Sequence, residues 1–307
     1  RQRIMRAAQD DEESDEDEFS EEDEDDESEV PIIIDDRESM LALKRHLPSQ
    51  FTNTWVKGVR EINLQADNWN GVLSRKNAVV KLTLNTWGLR VSLATLAHHL
   101  RTMDALESLH LDENPAGLTG SLEDLSCLSR LRTLSLSRSS RVCGCLSALS
   151  TMTELRAFFC EQTRITGEIE DLNKSKHLMV IALGDTQLTG SLNAVSKFPD
   201  LRWLLLSRTN VSGNLTALKQ AKKLERLQLN DCPYVSGSVQ SLSHLPTIQG
   251  IGLANTSVSG ELMQLGGLKT LRGLRLDGTA VLPVPPPDLD SFKLVTGCEV
   301  LRAPEQK

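Results

Sequence analysis

The amino-acid sequence predicts an α/β repeat solenoid, a right-handed superhelix bent into a horseshoe with one concave parallel β-sheet. Three periodic features of the 307-residue chain carry that expectation. Glycines at 120, 144, 167, 190, 213, 237 and 260 recur at intervals of 24, 23, 23, 23, 24 and 23 residues. Upstream of each lies an L-x-x-L-x-L block, as in Leu131/Leu134/Leu136, Leu201/Leu204/Leu206 and Leu224/Leu227/Leu229. Three residues past the last leucine comes a column of small polar side chains: Asn114, Ser139, Thr163, Thr186, Thr209, Cys232, Thr256 and Thr279. Fixed self-similarity at this period means one stacked coil per repeat, because a single coil cannot bury its own apolar residues.

The chain begins with an acidic run. Residues 1–29 hold 3 basic and 16 acidic side chains, net −13, whereas the rest of the chain is net +5. Such a segment cannot bury enough apolar surface to offset its ordering entropy, so residues 1–30 are assigned to a disordered acidic tail. Ser14 and Ser20, each followed by three acidic residues, have the context of acidophilic-kinase acceptor sites; a purely solubilising tail is the other reading.

Each recurring position from residue 78 to 282 has a physical role. The alternating part of L-x-x-L-x-L is a short strand whose leucines point into the solenoid while its x residues face outward. Successive strands then stack in parallel at roughly 4.8 Å, giving about eight to nine coils of 23–24 residues between two caps. The small polar column can satisfy backbone groups where the chain turns inside the coil. The glycine permits a bend that a Cβ would obstruct. In full, the unit is L-x-x-L-x-L-x-x-T-x-[LVI]-[ST]-G-x-L-x-x-L, clear in Thr186-Gln187-Leu188-Thr189-Gly190-Ser191-Leu192 and in Thr209-Asn210-Val211-Ser212-Gly213-Asn214-Leu215. It resembles the plant-type leucine-rich repeat of receptor-like kinase and receptor-like protein ectodomains, polygalacturonase inhibitors and many protist proteins.

Residues 31–77 read as an N-terminal cap. Asp36–Leu47 is amphipathic, with Leu41, Leu43 and Leu47 as its apolar residues. Ser39–Lys44 resembles the family's capping helix, and Trp55 with Trp69-Asn70-Gly71-Val72 resembles its W…W-x-G-V motif. Members often frame that motif with two disulfide-bonded cysteines, and here the matching positions are Asp67 and Ser74. That departure argues against an extracellular receptor. At the other end, residues 283–307 form a C-terminal cap and tail: the run Pro283–Pro287 stops the repeat because proline cannot donate to a ladder, and Phe292–Val300 is expected to close the core.

Reaction chemistry is not legible. No phosphate-binding glycine loop, G-x-S-x-G elbow or H-E-x-x-H is present, so no enzyme, cofactor or metal is expected. Cys143-Gly144-Cys145 replaces the Ser-Gly-Ser of the repeat, compare Ser236-Gly237-Ser238; Cys160 takes a strand-leucine position and Cys232 the threonine column. Six irregularly spaced cysteines do not make a disulfide scaffold. An intracellular address, cytoplasmic or nuclear, follows, with an extracellular or membrane-associated one if the N-terminus was processed; sequons at Asn173, Asn210, Asn214 and Asn255 would then be glycosylation candidates.

Recognition is legible in the outward columns. In the middle coils Phe159, Met179, Val180, Ala182, Trp203 and Leu205 form one island expected to be exposed, flanked by Arg132, Arg156, Arg202, Arg208 and Arg226, and Gln228 joins the expected partner-binding set. Apolar residues with Trp and Arg are what interaction hot spots are made of. The function expected is therefore a non-enzymatic recognition or scaffold module, monomeric, binding a protein partner on its concave face and no nucleic acid, with no membrane span in this chain. A receptor-like ectodomain or fragment in signalling, and an acidic-tail chaperone for basic proteins, are the alternatives. The acidic tail folding back on the arginine-rimmed face is a further expectation.

Overall fold

The computed structural model describes residues 36–52, 71–75, 78–282 and 299–301. The acidic tail with Ser14 and Ser20, Pro31–Ile34, Trp55, Asp67, Trp69, Asn70, Pro283–Pro287 and Phe292–Cys298 lie outside the described residues.

Among the described residues eleven strands form one sheet. They are β1 (Val72–Arg75), β2 (Ala78–Thr83), β3 (Ser108–His110), β4 (Thr133–Ser135), β5 (Ala157–Phe159), β6 (Val180–Ala182), β7 (Trp203–Leu205), β8 (Arg226–Gln228), β9 (Gly250–Gly252), β10 (Gly273–Arg275) and β11 (Glu299–Leu301). The sheet follows chain order; β1 pairs antiparallel with β2, and every later pair is parallel. Register is constant: Leu82, Leu109, Leu134, Phe158, Ile181, Leu204, Leu227, Ile251 and Leu274 sit side by side. Each of these is at most 3% exposed, so the predicted interior column is the core. At roughly 1.5–3 kcal/mol per buried aliphatic side chain, this column dominates the fold's stability.

The return path of each coil uses the other two columns. Thr163, Thr186, Thr209, Thr256 and Thr279 each donate their hydroxyl to the carbonyl three residues back, at 2.6–2.8 Å. Asn114 does more in the first full coil, donating to the carbonyls of Leu84, Leu111 and Asp112 and accepting from Leu89 N. Past the turn, short strands build two further four-stranded parallel ladders, and short 3-10 helices such as Leu192–Lys197 carry the chain round the convex side. The seven period-marking glycines all have φ between 99° and 131°.

Helix α1 (Arg37–Lys44) seals the N-terminal end. Its buried residues are Met40 and Leu43, joined just past the helix by Leu47, whereas Leu41 is only half-buried. The expected trio Leu41, Leu43 and Leu47 is thus corrected by one position, since Met40 and Leu43 share the face three residues apart that a helix presents inward. A short helix α2 (Ser49–Thr52) follows, and α3 (Leu93–Leu100), capped by Ser92, replaces the 3-10 turn in the first coil. His98 and His99 belong to α3, and the His99 ring centre lies 5.3 Å from those of both His46 and His98. No helix of the described residues is long and apolar enough to cross a membrane.

Candidate functional site: the concave face

The outward residues of the sheet divide the concave face into two halves. Over β5–β7, Ala157, Phe159, Met179, Val180, Ala182, Trp203 and Leu205 form an apolar cluster separate from the leucine core. Lateral register explains it: Ala157 and Trp203 each stand beside Val180, and Phe159 and Leu205 each stand beside Ala182. Phe159, Met179, Val180, Trp203 and Leu205 therefore come together as the sequence predicts, on the side away from the leucines. Their exposure is the correction. Phe159 and Trp203 are each 5% exposed, Met179 9%, Val180 3% and Leu205 8%. Periodicity fixes which side of a strand a residue takes; it does not count the neighbours that large side chains find there at a ~4.8 Å strand spacing.

The arginines are tied in rather than free. The Arg226 guanidinium lies 5.0 Å from the centre of the Trp203 ring, and the indole N–H donates to Glu225 Oε2 at 3.2 Å. Glu225 also pairs with Arg202 at 3.9 Å, and Arg132 with Glu107 at 3.6 Å. Arg156 stands half-buried at the entry to β5, its carbonyl accepting from Met179 N and Val180 N. Arg208 does not flank the face: it sits in the turn column at φ 59°, bridging Asp185 at 3.3 Å and Asp231 at 3.5 Å.

Over β8–β10 the face opens. Arg226, Gln228, Asn230, Gln249, Arg272 and Arg275 surround a trough of about 540 Å³ floored by Gly250, Gly252 and Gly273. A Cβ at Gly250 or Gly273 would meet nothing within 4 Å, so these glycines leave room above the sheet that the stacking does not use. Among the described residues, Asp277 reaches Arg275 at 2.9 Å. The trough's walls are thus polar and cationic, suited to charge-assisted hydrogen bonds with carboxylates.

One residue of interest was not singled out in the sequence. His110 on β3 occupies the same outward column as Ser135, Phe159 and Ala182, yet it is 2% exposed and neither ring nitrogen has a hydrogen-bond partner. Burial, with Lys81 nearby, pushes its pKa down to about 4. Only its place in the column hinted at this; a lone histidine in a column of unlike residues carries no pattern. Beside it Asp112, 4% exposed, accepts from the Ser135 hydroxyl at 2.6 Å and from Ser137 N at 2.8 Å.

The thiols sit elsewhere. Cys160 and Cys232 are buried, and burial pushes both thiols up, away from nucleophilic character. Cys143 lies in the returning ladder with its thiol on Gly120 O at 3.5 Å. Among the described residues no group of three or more His, Cys, Asp or Glu side chains is placed to hold a metal ion.

No family model and no curated protein matches the sequence. Solved structures do. The ectodomain of the Arabidopsis receptor kinase HAESA, solved with an IDA peptide hormone ligand, is 22% identical at a TM-score of 0.64 over 80% of this chain and 45% of that one. A plant ice-binding protein is 18% identical at a TM-score of 0.55, over 80% of this chain and 72% of that one. A leucine-rich repeat protein of Leptospira interrogans is 18% identical at a TM-score of 0.50, over 66% and 56%. The chain spans under half of the HAESA ectodomain, and identities at this level speak for the fold. By coil length, turn chemistry and strand order, the chain is a leucine-rich repeat solenoid similar in fold to plant receptor-kinase ectodomains.

Proposed function

We propose that the chain is a non-enzymatic recognition module that binds a protein or peptide segment along its concave face, with the apolar cluster around Phe159 and Trp203 continued by the arginine-lined trough. The observation that carries this reading is the trough itself. Stacking demands only the leucine interior, yet Gly250, Gly252 and Gly273 clear a floor beneath Arg226, Arg272 and Arg275. Stacking alone does not call for a trough bordered by three guanidinium groups. The HAESA ectodomain, of like fold, was solved with a peptide ligand, which supports the same use here. Arg132, Arg156, Met179, Val180, Arg202, Leu205 and Gln228 complete the proposed contact surface.

Substitution of the buried aromatics by Asp would place charges in a packed cluster and confound folding with binding. The trough offers cleaner probes. Affinity purification from the native source should recover a partner with the wild-type chain and lose at least nine-tenths of it with Arg226→Glu combined with Arg272→Glu. Undiminished recovery by that variant would overturn the placement.

A receptor-like fragment is the second reading, favoured by the exposure of the sequon residues Asn210 and Asn214. Glycan at either would support it. The free state of Cys127, Cys143, Cys145, Cys160 and Cys232 supports the first reading and a reducing, intracellular setting.

A further inference from the structure

Resting on the reading of the concave face as a peptide-binding surface, we infer that its resident occupant is the chain's own N-terminal segment, with Val30–Ile32 on the apolar half and the acidic run before it in the arginine-lined trough. Three observations carry this. The first is where the leash is tied. Asp36, 3% exposed, accepts a hydrogen bond from Val79 N at 2.7 Å, so the described chain starts against β2 at one end of the face.

The second is order. Strands are spaced by roughly 4.8 Å and an extended chain covers roughly 3.3 Å per residue, so stepping back from Asp36 brings residue 32 to β5, residue 30 to β6, residue 29 to β7 and residue 26 to β9. Read backward, the sequence is Ile34, Ile33, Ile32, Pro31 and Val30, followed by Glu29, Ser28, Glu27, Asp26 and Asp25. Along the same path the face is apolar from Phe159 to Leu205 and cationic from Arg226 to Arg275. Apolar meets apolar, and carboxylate meets guanidinium, in matching sequence.

The third is His110, one strand from the tether, buried with both ring nitrogens unpartnered among the described residues. A buried polar group without a partner is costly, and a ring that turns outward over β3 meets the donors and acceptors of a backbone segment passing there. A tethered segment acts at an effective concentration near millimolar, so even a weak match keeps the face occupied until a tighter ligand displaces it.

Two measurements on the full chain test this. With the photoreactive residue benzoylphenylalanine at position 32, irradiation should link it, within monomers, to the tryptic peptides carrying Phe159 or Met179. Links to the convex side, or none, would overturn the inference, and links between copies would assign the face to a second chain instead. In the other, a synthetic peptide of residues 20–34 should bind the full-chain variant Ile32→Asp/Ile33→Asp at least tenfold tighter than it binds wild type, because the variant's own segment no longer competes. Equal affinities, or no binding to either, would refute self-occupancy. If partner capture still depends on Arg226 and Arg272 in that event, the recognition function stands and only the identity of the resident falls.

Discussion

The two phenylalanines Phe158 and Phe159 are neighbours on one strand and lead different lives. Phe158 is fully buried in the leucine column that runs the length of the solenoid, and it belongs to every coil's business of stacking. Phe159 is 5% exposed, yet it packs in a separate cluster of seven residues confined to three coils. The same contrast runs along the face. Over β7 the outward residues are Trp203 and Leu205; over β9 they are Gly250 and Gly252, on an interior of the same aliphatic kind, Leu204 and Ile251. The solenoid dictates one side of each strand and leaves the other to whatever the face must hold. Burial on the first side is required by the fold, whereas burial on the second has to be explained by function.

That distinction breaks most sharply under truncation. Phe158→Ala removes a ring from a core that cannot collapse around the hole, and should cost about 3–5 kcal/mol in urea unfolding. Phe159→Ala leaves its gap on the face, where side chains can adjust, and should cost roughly half of that or less. Equal losses would mean that the face cluster is a second structural core, and the comparison would fail.

His110 sharpens it through pH. Its folded pKa of about 4 lies below the ordinary 6.5, so the folded state binds fewer protons than the unfolded one. Stability attached to the neutral ring is therefore complete above pH 6.5 and is lost as pH falls toward 4. A shift of that size corresponds to about 3 kcal/mol. The loss in wild type between pH 7 and pH 4 should exceed that in His110→Gln by about that amount, read from urea midpoints at each pH. Parallel profiles for the two proteins would show that His110 titrates normally and that its side of the face is open to water.

How far these features could be read in advance depends on whether they repeat. The interior column, the small polar column and the bending glycines occur seven to nine times each, so their period exposes them, and their physical roles follow from strand and turn geometry. The face occurs once. Its apolar members Phe159, Met179, Val180, Trp203 and Leu205 were legible because they break the expectation of polar outward residues. Their burial was not, since it depends on what lies across neighbouring strands. Pairing was equally hidden: the Arg202–Glu225 and Arg132–Glu107 contacts join residues 23 and 25 apart, and no single coil shows them. His110 and the glycine floor were missed because small or solitary residues at x positions look like drift until the cavity above them is seen.

Glycine gives the comparison its smallest and cleanest form. Gly190 repeats at the period; its φ is 99°, and a Cβ there would come within 2.9 Å of Ile169 N. Gly190→Ala should cost about 1–3 kcal/mol for the left-handed backbone alone. Gly250 has no such φ and nothing within 4 Å of a built Cβ, so the solenoid makes no demand on it. Gly250→Ala should change stability by no more than about 0.5 kcal/mol, as surface substitutions do. Its effect belongs to binding: a methyl group on the floor of the trough narrows the space under Arg226 and Arg272, and affinity for the captured partner should fall several-fold while the unfolding curve stays in place. An unfolding midpoint that shifts as far for Gly250→Ala as for Gly190→Ala would make the floor a structural feature, and the trough would lose its claim to be a site.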